Sequence, residues 1–352
     1  MALVLNVYQL VGYLLLFIIC VVIYLWLQFG PGIDIRHAQS HFPLSESELN
    51  FIKTYVAAGS EITGVMERVR SRKQMVRIFY RIWIPNNIPS PNDAVAVVVY
   101  LHGLNSHSGR NDPMSRELLE NNFIVAKLDH EGFGRSGGRH GYFESVNDLA
   151  EDVIAFITDI RSRYKGKKVF LEGISLGGLV ALHVLTRMQN GLIDGAVLLC
   201  PAVQIHEATK TSVIVESIGK FLHRFFPKLP VIRAHRGRST CAASAALVEA
   251  MIKMDPLFYS GRLRIGTGLA ILAGIEYIRS RFHEIRLPYL LQHGTADLVC
   301  DISGSEQLHE STSSEDKTFL RYKGAAHDLC NDSPEIREAV ARDIVEWLLT
   351  RS

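Results

Sequence analysis

Ser175 lies at the centre of Gly173-Ile174-Ser175-Leu176-Gly177, a spacing that places a hydroxyl on a sharp turn between a strand and a helix. The flanks suit that turn. Lys168 to Glu172 is rich in strand formers, and Leu179 to Leu185 has the length and composition of a buried helix. Glycines are needed on either side because a side chain would collide with so tight a turn, and the first N–H groups of the helix point at the carbonyl that the serine attacks. A bare G-x-S-x-G arises by chance in roughly one chain in ten of this length, so the partners of the serine decide the matter.

A serine hydroxyl is a weak nucleophile at neutral pH and needs a base, commonly a histidine held in one tautomer by a carboxylate. With the serine on such an elbow, the order along the chain is serine, acid, histidine, the last two in loops after late strands. Tyr289 to Gln292 opens into His293-Gly294-Thr295-Ala296-Asp297, and Thr318 to Tyr322 opens into Lys323-Gly324-Ala325-Ala326-His327. Asp297 is therefore expected to orient the base and His327 to be the base. Their competitors are Asp301, further from its strand, and His293, expected to pack structurally; Asp328 is open to reading as a solvated charge.

Acyl transfer also needs donors aimed at the developing oxyanion. The N–H of Leu176 is one candidate and the N–H of Leu104, in the loop His102-Gly103-Leu104-Asn105, the other, with His102 expected to fix that loop. A rival pattern, His107 to Asp112, satisfies H-x-x-x-x-D and would mean an acyltransferase with His107 as its base. No set of histidines, cysteines or carboxylates has metal-ligand spacing, and Gly132 to Gly137 falls short of a dinucleotide-binding turn, so no cofactor is expected.

These loops need a frame. Val76 to Ile84 reads as an outer strand, Ala94 to Leu101 as a strand buried on both faces, and further strand candidates follow at Phe123 to Leu128, Val169 to Leu171, Ala196 to Leu199, Tyr289 to Gln292 and Thr318 to Tyr322. Helical patterns at Leu149 to Ile160 and Pro334 to Leu349 complete an alternation that predicts an α/β domain, a mostly parallel sheet with helices on both faces. Pro201 to Arg286 breaks the alternation. Its apolar, helix-like sequence predicts a cap over the carboxyl edge of the strands. The expected divisions are 60–200 for the first part of the core, 201–286 for the cap and 287–352 for the rest of the core.

With 47% hydrophobic and 21% charged residues the chain can bury a large core, and a formal charge of +2 without basic runs excludes a nucleic-acid surface. The stretch from Met1 to Ile33 carries no charged side chain, and Leu10 to Leu27 is almost wholly apolar, with Tyr8, Tyr24 and Trp26 toward its ends. We read residues 1–33 as an uncleaved membrane anchor, since a basic n-region and a small-residue cleavage site are both missing. Residues 34–59 are then juxtamembrane, and their sparse flanking charges favour a cytosolic catalytic domain only slightly. The five cysteines show no redox or metal spacing, and the sequon Asn331-Asp332-Ser333, followed by Pro334, is expected to be unmodified.

From about residue 60 onward the chain resembles the monoacylglycerol lipase and lysophospholipase branch of the α/β-hydrolase superfamily. The matching stretches are His102-Gly103 with His107 to Arg110, Asp129 to Ser136, the elbow, Asp255-Pro256-Leu257, His293 to Asp297 with Cys300-Asp301, and Gly324 to His327. The resemblance implies a serine ester hydrolase acting on a lipid, with Arg110 retained as a substrate contact. It also marks departures: Ser106 stands where the family usually carries a polar or acidic residue, Cys330 and Ile174 where it usually carries histidines. A weakened glycerol site leaves a lysophospholipid or another long-chain ester open beside a monoacylglycerol, as well as a carboxylesterase or peptidase of the same fold. A hydrolase-fold protein without catalysis would be expected to have lost Ser175, Asp297 or His327; all are present. The chain's oligomeric state is not legible.

Overall fold

The computed structural model describes residues 7–31, 59–70, 75–110, 113–187, 191–232 and 245–352. All but one residue of the juxtamembrane segment expected at 34–59, together with Asp112 of the rival motif, lies outside them. An eight-stranded sheet runs in the order β1-β2-β4-β3-β5-β6-β9-β10. Its strands are β1 (Gly59–Val69), β2 (Met75–Pro85), β3 (Val97–Leu101), β4 (Ile124–Leu128), β5 (Val169–Ile174), β6 (Gly195–Leu199), β9 (Tyr289–Gly294) and β10 (Lys317–Tyr322). From β4 to β10 every pairing is parallel, and β2 joins β4 antiparallel.

The β-branched runs form the strands because helices cover both faces, so alternate side chains enter two cores. Val169 and Leu171 of β5 face one core, with α3 (Val146–Arg163), α4 (Leu176–Leu185) and α7 (Ile265–Arg279). Phe170 faces the other, against Trp347 of α9 (Pro334–Leu349), which packs beside α2 (Pro113–Glu120). Ser145 and Ser333 cap α3 and α9 through their hydroxyls.

β2 is not outermost as its sequence suggested. β1 pairs antiparallel with it along its full length and covers it, from Gly59 opposite Pro85 to Val69 opposite Met75. Edge position explains why β1 escaped the sequence: its side chains are half or fully exposed, and Glu61, Glu67 and Arg68 interrupt any apolar alternation. Between β6 and β9 lie α5 (Val213–His223), the ribbon β7 (Pro230–Ile232) with β8 (Leu263–Arg264), α6 (Ala245–Met254) and α7; α8 (Ile302–Ser311) follows β9. Ahead of the sheet, α1 (Val7–Phe29) is an apolar helix of 23 residues.

Candidate active site

Parallel strands deliver their following loops to one edge, and every candidate residue sits there. At the end of β5, Ser175 takes φ +55° and ψ −114°, a conformation that costs about 1–3 kcal/mol and is retained because its surroundings fix it. Its N–H donates to Leu199 O (2.9 Å), while its carbonyl accepts from Leu179 (3.0 Å) and Ala202 (3.0 Å). The glycines are required by close approach: a Cβ on Gly177 would stand 2.1 Å from Leu101 O, and one on Gly173 2.5 Å from Gly177 O.

His327 Nδ1 and Asp297 Oδ2 are 2.6 Å apart and both residues are buried. The other carboxylate oxygen, Oδ1, accepts the N–H groups of Val299 (2.7 Å) and Cys300 (2.9 Å). Burial alone would raise this carboxyl; the adjacent His327 and the ring donors of His293 and His327 overcome it and hold Asp297 well below the ordinary carboxylate range. Asp301 does not compete. It caps α8, accepting from Ser303 N–H (2.9 Å) and Oγ–H (2.6 Å).

His293 proves more than packing. It is fully buried, its Nδ1 faces Ser305 Oγ (2.8 Å), and its Nε2 faces both Cys300 O (3.2 Å) and Asp297 Oδ2 (3.1 Å). Since carbonyl and carboxylate only accept, Nε2 carries the proton and Nδ1 takes the Ser305 hydroxyl. Asp297 Oδ2 therefore lies between two histidine N–H groups.

The loops opposite are fixed by further pairs. His102 Nδ1–H donates to Gly103 O (2.8 Å) and Nε2 accepts from His130 N–H (3.0 Å), so His102 is a loop-fixing group as expected, and burial pushes its pKa down to about 4. Asp129 takes the N–H groups of Ser108 (2.6 Å) and Arg135 (2.7 Å). His107 accepts from Gly109 N–H (3.1 Å) on Nδ1 and faces Asp255 Oδ2 (2.8 Å) with Nε2. One ring nitrogen of His107 thus holds its own loop, and the other joins that loop to the cap. That tie, between residues far apart in the chain, had no local sequence signal.

Ser175, His327, Leu104, Leu176 and Arg110 all line one cavity of about 690 Å³, walled in the cap by Val215, Leu222, Ile252 and Leu269. The N–H groups of Leu104 and Leu176 donate to no acceptor among the described residues. Arg110 stays within the cavity wall by stacking on Phe258, 4.9 Å from the ring centre. Among the described residues no hydrogen bond joins Ser175 Oγ to His327, a contact that often tightens only when substrate is bound. Cys200, Asp297 and His327 offer ligand atoms within 4.8 Å of one another, but Asp297 and His327 hold each other and burial keeps the Cys200 thiol protonated, so we assign no metal there.

Residues 92–334 match the family described as serine aminopeptidase, S33. The chain belongs to that family. Within this serine hydrolase family it is 29% identical to the human protein named monoglyceride lipase over 276 residues, 78% of this chain and 88% of the relative. It is 27% identical to the Mycolicibacterium smegmatis protein named monoacylglycerol lipase over 275 residues, 78% and 94% of the two chains. Among solved structures, a monoacylglycerol lipase of Paleococcus ferrophilus aligns with 31% identity and a TM-score of 0.64, over 73% of this chain and 95% of that one. A soluble variant of the Saccharomyces cerevisiae monoglyceride lipase, 20% identical, shares the fold with a TM-score of 0.66 over 83% of this chain and 96% of that one. The chain is thus a serine ester hydrolase of the α/β-hydrolase fold.

Proposed function

We propose that this family member is a membrane-anchored lipase that releases the fatty acid from a single-chain lipid ester, a monoacylglycerol or lysophospholipid, through Ser175, His327 and Asp297. One observation carries the reading: the 2.6 Å Asp297–His327 pair stands with Ser175 at a cavity whose cap side is mostly apolar. The carboxylate keeps the proton on His327 Nδ1, which leaves Nε2 bare to take the serine proton as Oγ attacks the ester carbonyl. The N–H groups of Leu104 and Leu176, both at the cavity and without an acceptor among the described residues, are the donors for the oxyanion. His327 then protonates the leaving alcohol, and water, deprotonated by the same nitrogen, releases the acid from the acyl-enzyme.

Three features of the chain point to a lipid. The mostly apolar cavity wall in the cap suits an acyl chain, Arg110 adds a cation to the lining, and α1 is long enough to span a bilayer. The test compares the detergent-held protein with Ser175→Ala on monoacylglycerols, lysophospholipids and short esters. Fatty-acid release from one lipid class that vanishes in the variant supports the proposal; no Ser175-dependent release from any ester sinks it.

A further inference from the structure

Among the described residues, two helices present exposed apolar surfaces. One is α1 itself; the other is the outer face of α5. Along that helix Ile214, Ile218 and Phe221 recur on one stripe, with Phe225 following just past the helix end, and Val213, Ile214 and Phe221 are 79%, 72% and 65% exposed. The adjoining stripe, Val215, Gly219 and Leu222, about a quarter turn round the helix, lines the cavity. Val215 and Ile218 are exposed and also line it, which puts its opening along this helix. An apolar sector wider than the cavity needs, exposed beside a polar face of Glu216, Ser217 and Lys220, is unsuited to water.

The two surfaces are joined. Arg139 donates to Gln28 O (2.8 Å) and lies 5.5 Å over the Phe29 ring, and Lys228 N–H donates to Phe29 O (3.1 Å). These are orphan carbonyls of the last turn of α1, where cations also favour the helix dipole. Lys228 comes just after Phe225, the last residue of the stripe. Arg264 donates to Lys228 O (2.6 Å) and to the carbonyl of His140, the residue after Arg139 (2.9 Å). The anchor therefore ends in a braced junction with the cap, not in a loose tether.

We propose that α1 and the outer stripe of α5 form one bilayer-binding surface, with the Phe29 junction holding the cavity mouth against the leaflet that α1 enters. The occupant of the stripe is lipid, because the helix seated at Lys228, three residues beyond Phe225, is of membrane-spanning length. Its 23 residues give about 34 Å against a hydrocarbon core of about 30 Å. An acyl chain then crosses roughly one helix diameter, about 10 Å, from leaflet to cavity. The inference rests on the membrane-anchored reading above.

The experiment uses the full chain in phosphatidylcholine vesicles with two readouts. With Phe221→Trp in a Trp26→Phe background, brominated lipids should quench the introduced fluorescence, since Trp83 and Trp347 are buried in the core. An unquenched signal, whether the stripe lies in water or is sealed against a second copy of the chain, overturns the proposal independently of any hydrolysis. In the second readout, Ile214→Glu with Phe221→Glu, and separately Phe29→Ala with Arg139→Gln, should lower hydrolysis of a vesicle-embedded long-chain ester roughly tenfold. Hydrolysis of dissolved p-nitrophenyl butyrate should stay within about twofold, since none of these side chains lines the cavity. Vesicle activity unchanged in both variants, or both substrates lost in parallel, overturns the inference; a wild-type protein inert to both esters but quenched by brominated lipid strikes the lipase reading alone.

Discussion

Asp297→Asn tests the site most sharply, because the structure dictates which way the new amide must turn. Oδ1 of Asp297 accepts two backbone N–H groups, from Val299 and Cys300, whose positions are fixed by the loop. An asparagine must keep its oxygen there, since an NH₂ would meet two donors at 2.7 and 2.9 Å. Its NH₂ then occupies the place of Oδ2, losing the bond from His293 Nε2–H (3.1 Å) and facing His327 Nδ1. That nitrogen has to give up its proton to accept, the imidazole moves its remaining proton to Nε2, and the base toward Ser175 is gone. The expected loss in kcat is on the order of 10⁴-fold, about 5 kcal/mol in the barrier. Steady-state hydrolysis of p-nitrophenyl butyrate measures it, and the residual rate should climb with pH as hydroxide replaces the lost base. Asp301→Asn, which touches only a helix cap, should leave kcat within a few-fold of wild type. Near-normal activity of Asp297→Asn, or a large loss from Asp301→Asn, would refute the reasoning.

His293→Leu removes one of two N–H groups at Asp297 Oδ2 and should cost about 10- to 100-fold in kcat. The carboxylate left more basic should shift the acid limb of kcat/KM to higher pH, and His293→Gln, whose amide can reach the same oxygen, should restore much of both. Leu269→Trp narrows the cap side of the cavity and should lower kcat/KM for long acyl chains relative to butyrate, read from a chain-length series. Unfolding should become easier as pH falls from 6.5 toward 4. Burial brings His102 and His183 down to about 4 in the folded chain from 6.5. The unfolded state therefore binds protons first, and stability present above 6.5 is lost across that window. Glu131, raised to about 7 by burial, works in the opposite direction; Glu131→Gln should steepen the acid decline in apparent Tm.

What the sequence determined by itself was whatever local stereochemistry forces. Only glycine fits where Gly177 meets Leu101 O, so the elbow at Ser175 could be read directly, and β-branched runs such as Val97 to Leu101 have no other comfortable place than a buried strand. The final helix was legible at about Pro334 to Leu349, because its amphipathic period is local. The tertiary structure decided everything that depends on pairing across the chain. β1 is a strand because β2 offers it an edge, not because of its own pattern. Asp297 was chosen over Asp301 from strand spacing, but only the folded loops show which carboxylate meets His327. His293 as a partner of the acid, His107 as the tie to Asp255, and Phe29 seated against Arg139 could not be read from the sequence. Each joins groups whose positions are set by different elements, and residue type alone carries no record of where a distant backbone will bring its partner.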